Sequence, residues 1–392
     1  MNAGATPASP AFSGSEFDLR VDRVAALAAE LAPRTERERR LADELLVELR
    51  ASGLMRAGAP STLGALQAPP AVTLECAERI ARGDASAGWC VSIAATSSLL
   101  TGYLSPAAAE EILGDERAIA AGVWAPRGAG KAVSGGVRIS GRWSFCSGIT
   151  HSDWLFAGYI LEGAQGASGA PVVRVAALPT AELEIPDTWH TGGLCGTGSH
   201  DALADDVLVP DHHTLSLMED GPTVEAALYR FPIFGFFALS IAAAALGNAR
   251  GAIDDLTALA GVKSSLGSTR KLAERTSTQA AVAEAEAALR AARALYYEAI
   301  EEAWAAAQEP EPVPASARLG LRLAATHAVR TAAEVTRSMY DLGGGTAIYE
   351  TSPLQRRLRD ALTATAHFQV NPASFEISGR LLLDLPTNIA QL

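Results

Sequence analysis

The sequence is short of cysteine, of positive charge and of long apolar runs, and each shortage closes off a class of function. Cys76, Cys90, Cys146 and Cys195 are the four cysteines among 392 residues. None forms a C-x-x-C pair, and the spacings suit neither a zinc site nor a small disulfide scaffold. They read as buried free thiols in a reducing cytoplasm. The 32 Lys and Arg are outnumbered by 44 Asp and Glu, a formal net charge of -12. Nucleic acid calls for a basic face, so it is not expected as a partner. Nor is an anionic membrane surface. The longest apolar run, Phe231 to Leu246, contains Pro232 and Ser240 and falls short of a comfortable membrane span. It reads as a central helix buried on all sides. Met1 to Ser15 has no charged n-region and no long apolar h-region, and reads as a disordered tail (residues 1–15).

What is present divides by periodicity into three regions. Residues 16–117 are expected to form a helical domain, with helices over Val21 to Leu31, Glu36 to Ser52, Val72 to Arg82 and Ala85 to Leu104. Ser105-Pro106 has the composition of a helix start, Ser as N-cap and Pro at the first helical position. Residues 118–221 lose the helical period. Short β-rich runs over Gly136 to Ile139, Trp154 to Ile160, Val172 to Leu178 and Leu203 to Val209 predict a β-barrel or sandwich. Residues 222–392 return to long helices: Phe231 to Ala260, Ser268 to Gln308, Ala315 to Leu342, Pro353 to His367, and one after Pro372. That pattern predicts a four-helix bundle. The fold class is therefore α+β multidomain.

Four segments carry candidate chemistry. The first is Ser140-Gly141-Arg142-Trp143-Ser144-Phe145-Cys146-Ser147-Gly148, where period-two geometry would put Phe145 and Ser147 on one strand face. The second is the glycine-rich run from Asp187 to Asp201, holding Cys195, Thr197 and Ser199. It is not a dinucleotide fingerprint, since the third Gly and the βαβ context are missing. Its backbone amides and hydroxyls could hold a phosphate, or it could be a tight turn. The third is Arg275 with Gln279, four apart on one predicted helix face. The fourth runs from Gly343-Gly344-Gly345 through Arg359-Asp360 to His367-Phe368. The glycines permit close backbone approach to a cofactor, or simply end a helix.

Region order and segments together resemble the acyl-CoA dehydrogenase family, over nearly the whole chain from about Phe17. The resemblance implies a flavoprotein assembled as a homotetramer. It implies that Phe145 lies by the flavin and Ser147 bonds its ring. Thr197, Ser199, Gly343 and Gly344 would also line the cofactor, and Arg275 and Gln279 would reach a neighbouring subunit's flavin. Arg275 and Gln279 could equally be solvated or interface side chains.

The departures are informative. Where the dehydrogenases carry a catalytic Glu, this sequence offers His367 and Phe368. Ile233 to Phe237, where some relatives place the Glu, has no carboxylate. Trp124-Ala125-Pro126 replaces Thr-Glu-Pro. A base for α-proton abstraction is missing. The pattern around Trp143 to Gly148 is similar to the flavin-dependent monooxygenases of the same fold, in which a histidine commonly stands at the position of His367. The resemblance thus implies the oxygenase of a two-component system. A separate reductase would supply reduced FMN or FAD, and O2 would be co-substrate through a flavin C4a-hydroperoxide. His367, with an unperturbed pKa near neutrality, would exchange protons with a small-molecule substrate. Trp89, Ser92, Thr96 and Trp124 are candidates for the pocket wall, or for packing alone. A desaturase retaining FAD and a non-catalytic member of the fold stand as alternatives.

Overall fold

The computed structural model describes residues 15–166, 169–264, 269–390 and 392. Most of the expected N-terminal tail, residues 1–14, lies outside them. Five helices come first: α1 (Ser15–Glu38), α2 (Asp43–Ser52), α3 (Pro70–Gly83), α4 (Ala85–Ser98) and α5 (Pro106–Leu113). The break after α1 falls later than Pro33 suggests. The helix runs through that proline, and the chain turns at Arg39, whose φ is +55°. α4 starts where Asp84 accepts a hydrogen bond from the Ser86 amide at 3.2 Å. Ser105 caps α5 in the same way, accepting from the Ala108 amide at 3.3 Å. α4 is shorter than predicted, giving way to a 3-10 turn over Leu99–Tyr103.

The strands are β1 (Ala120–Val133), β2 (Gly136–Trp143), β3 (Trp154–Gln165), β4 (Pro171–Pro179), β5 (Ala202–Pro210) and β6 (Thr214–Leu215). They form one six-stranded sheet in the order β5-β2-β1-β3-β4-β6. The expected barrel or sandwich is therefore a single sheet whose edge strands, β5 and β6, do not pair with each other. β1 and β3 are parallel and the other pairs antiparallel. β1 escapes sequence inspection because Pro126 and three glycines dilute it. Its pairing with β3 shifts register between Val123 and Gly128, around that proline.

Alternation along β3 sends Leu155, Ala157 and Tyr159 into one core and Phe156 into another, shared with α5. Trp143 ends β2 fully buried, its indole N–H donating to the Gly158 carbonyl at 2.7 Å. Gly128 and Gly141 face each other across the ladder beneath that ring. A Cβ on Gly128 would come within 2.6 Å of it. The residue that ends β2 is thus fixed by packing, and the candidate loop leaves from a rigid point.

The C-terminal region comprises a short α6 (Ala227–Arg230), then α7 (Ile233–Val262), α8 (Thr276–Ala307), α9 (Ala315–Gly343), α10 (Pro353–Thr365) and α11 (Ala373–Leu382). α7 is long and apolar enough to cross a membrane, yet 83% of its most apolar window is buried inside the protein. It packs on α9 from one side and on α3 and α4 from another. One continuous core therefore runs from Val21 to Val370. Trp89 on α4 and Leu194 in the glycine-rich run belong to it, so the candidate site grows directly out of the main core.

Candidate active site

The chain leaves the sheet at Trp143 and does not continue as strand. Phe145 has φ +66°, a left-handed conformation that is costly for a bulky side chain. The expected shared strand face of Phe145 and Ser147 is thereby overturned. The reason lies in the partner segment. The Cys146 amide donates to the His200 carbonyl at 3.1 Å and the Gly148 amide to the Thr197 carbonyl at 2.8 Å. These bonds pull residues 144–148 onto the turn around residues 194–200. Phe145 is left 71% exposed, with Trp189 meeting it edge-on at 6.2 Å.

Ser147 faces the other way, into a run of hydroxyls. Its Oγ accepts the indole N–H of Trp89 at 3.0 Å and lies 2.9 Å from Ser199 Oγ. Ser199 Oγ lies 2.6 Å from Thr197 Oγ1, which donates to the Leu194 carbonyl at 2.8 Å. A hydroxyl has one proton to give. Thr197 spends its proton on Leu194, so Ser199 must donate to Thr197 and Ser147 to Ser199. The chain therefore has one direction, from Trp89 to Leu194. It leaves Ser147 Oγ with a single unused lone pair and no proton to offer.

The turn that ends this chain is held by α10. Leu194 (φ +50°) donates its amide to Asp360 Oδ1 at 2.6 Å. Arg359 bonds the Gly192 carbonyl at 2.5 Å and pairs with Glu36. Gly193 lies so close to α10 that a Cβ would stand 2.2 Å from the Arg359 carbonyl oxygen. The Arg-Asp pair is thus the clamp between the glycine-rich run and α10. Burial pushes the Asp360 carboxyl up to about 6. Burial, then the charge of Asp360, pushes Asp84 up to about 7. Sequence inspection missed Asp84 and Asp360 as partners.

α10 ends at Thr365, and His367 follows as the cap of a 3-10 turn over Phe368–Val370. Its Nδ1 accepts from the Gln369 amide at 3.4 Å, which leaves Nε2 as the protonated nitrogen of the neutral ring. The ring meets Trp89 edge-on, centroids 5.8 Å apart. Burial, then the charge of Arg322, pushes the His367 pKa down to about 4. The expected near-neutral titration is corrected: near pH 7 this imidazole is neutral and presents an N–H.

The other candidates scatter. Ser92 and Thr96 are buried in α4 and donate to helix carbonyls, Ser92 also to the Ser240 carbonyl at 3.0 Å. Neither has a hydroxyl proton left for a ligand. Trp124 packs against Phe237, and its indole N–H is buried with no hydrogen-bond partner among the described residues. Arg275 and Gln279 do not share a helix face. Arg275 stands at the N-cap of α8, and Gln279 turns its amide back to the Ala273 carbonyl at 3.0 Å. Gly343 ends α9, its carbonyl held by Lys263, and Gly344 has φ +53°. All four cysteines are free and buried. His200 and His213, which stand outside the candidate segments' hydroxyl chain, are buried.

Comparison with known proteins agrees with the fold. The acyl-CoA dehydrogenase C-terminal domain family matches residues 239–372. Indole-3-acetate monooxygenase of Pseudomonas putida is 36% identical over 379 residues, 96% of this chain and 95% of that protein. The chain belongs to the flavin-dependent monooxygenases of this fold. It is also 29% identical to the flavin-dependent monooxygenase oxygenase subunit HsaA of Rhodococcus jostii, over 90% of this chain and 94% of that one. The Streptomyces XiaF structure, solved with FADH2 and glycerol, superposes with a TM-score of 0.86 at 26% identity, covering 95% and 96% of the two chains. The enzyme is thus a flavin-dependent monooxygenase.

The lowered His367 pKa is directly observable. An NMR titration of its ring protons should show a midpoint near pH 4. A midpoint near the ordinary value of about 6.5 would contradict the half-buried, neutral imidazole.

Proposed function

We propose that this oxygenase binds reduced FMN or FAD against Phe145 and Ser147 and oxygenates a small aromatic molecule beside His367. The directed hydroxyl chain supports this reading most strongly. Ser147 Oγ retains only acceptor capacity, because its proton is committed to Ser199. Reduced flavin carries an N–H on its central ring where oxidised flavin has a bare nitrogen. An acceptor-only Ser147 favours the reduced form. The exposed face of Phe145 suits a flat ring system, and Thr197 and Ser199 act by setting the direction of the chain.

Reduced flavin supplies the reaction with O2 that places one oxygen atom on the substrate. The chain's own residues have narrower tasks. His367 offers Nε2–H to an oxygen of the substrate or oxidant, and Trp89 fixes the ring's edge. Trp124 offers an unpartnered indole N–H as a further donor. Trp89, Trp124 and Phe237 favour a planar aromatic substrate, as indole-3-acetate is for the Pseudomonas relative by name. The relative named as an oxygenase subunit supports a separate reductase as electron source. Cytoplasmic location fits the free thiols.

A homotetramer is supported by apolar side chains near the C-terminus: Leu362, Phe368, Leu382, Leu383 and Leu385 are 53%, 66%, 67%, 72% and 44% exposed. Single chains rarely show so much apolar surface in one region. Light scattering should report the mass of four chains, and the mass of one would contradict the assembly. For the chemistry, His367→Ala should bind reduced flavin normally and lose product by about 100-fold or more, with reducing equivalents diverted to hydrogen peroxide. Unchanged product yield would remove His367 from the mechanism.

A further inference from the structure

α5 lies against the sheet, and its Glu111 meets the 3-10 turn Asp211–His213 that joins β5 to β6. His213 Nε2 stands 2.8 Å from Glu111 Oε2, and His212 Nε2 stands 3.2 Å from the same oxygen. All three ligating atoms lie within 4.8 Å of one another. A tetrahedral ion with bonds of about 2.0–2.1 Å holds its donor atoms about 3.3 Å apart. The cluster is therefore close to a ligating geometry already, and small side-chain shifts complete it.

The rings are held by packing. His213 is 6% exposed and meets Trp154 edge-on at 5.6 Å. His212 stacks edge-on against His213 at 4.5 Å. The two imidazoles in turn hold the Glu111 carboxyl below the usual range. Asp187 with His190 and His200 forms a superficially similar group. There Arg39 already takes both carboxylate oxygens, at 2.6 and 2.8 Å, and His200 Nδ1 accepts from the Thr188 and Trp189 amides. That group is neutralised and its donor atoms are committed.

We propose that Glu111, His212 and His213 form a binding site for a divalent transition-metal ion of the zinc class, fastening α5 to the β5–β6 turn. Two imidazoles and one carboxylate suit such an ion, with water as the fourth ligand. Each imidazole would bind through Nε2 with its ring proton on Nδ1. The site lies on elements that contribute none of the residues of the oxygenase site, and it takes no part in oxygen transfer.

The test is a calorimetric titration of the metal-free, full-length protein with Zn2+ alone. One equivalent per chain should bind, and the thermal midpoint should rise. His212→Ala and Glu111→Gln alter exposed side chains and should each weaken Zn2+ binding at least about tenfold. Reduced-flavin affinity should not change in either. Absence of saturable binding in the natural sequence, or Zn2+ affinity in both variants unchanged from that of the natural protein, would overturn the site.

Discussion

The hydrogen-bond chain from Trp89 through Ser147, Ser199 and Thr197 to the Leu194 carbonyl is the constraint on which the site depends. It joins α4, the loop after β2 and the glycine-rich turn, which are far apart in sequence. Its direction follows from proton counting, because each hydroxyl can donate once. The direction then decides what Ser147 can recognise. A chain of this kind also polarises along its length, so removing one member weakens the others.

Two supports keep the chain in place. The Arg359-Asp360 clamp ties the turn at residues 192–194 to α10, whose C-terminal extension carries His367. Trp143, buried over facing glycines, fixes the point where the loop leaves the sheet. The clamp has a cost. Asp84 and Asp360 are buried carboxyls whose pKa values rise on folding, so the stability they contribute is lost as pH climbs from about 4 through their folded values of about 7 and about 6. Burial and the charge of Arg322 lower the His367 pKa and keep its ring neutral.

Much of this was legible in the sequence. Long helical periods gave α7 and α9 to within two residues at each end, whereas α8 begins at Thr276 and not at the expected Ser268, and Ser105-Pro106 marked a true cap. His367, Ser147, Trp89, Thr197 and Ser199 were chosen separately and converge in space. What stayed hidden has physical causes. β1 is diluted by Pro126 and glycine, and its pairing is set by neighbours rather than by its own composition. The left-handed Phe145 arises from amide bonds to the segment around residue 200, which no local pattern reports. Arg275 falls just outside α8 because a 3-10 turn over Leu272–Glu274 stands where helix was expected and α8 begins at Thr276. The His367 pKa depends on burial and on Arg322, both products of tertiary packing. The pairing of Glu111 with His212 and His213 spans about a hundred positions and needs the sheet to form first.

The most direct test of the central claim compares the affinities for reduced and oxidised flavin in the natural protein and in Ser147→Ala. The natural protein should prefer reduced flavin, and the substitution should shrink that preference by about tenfold, the worth of one hydrogen bond. An equal loss of affinity for both forms, with the preference unchanged, would contradict the account.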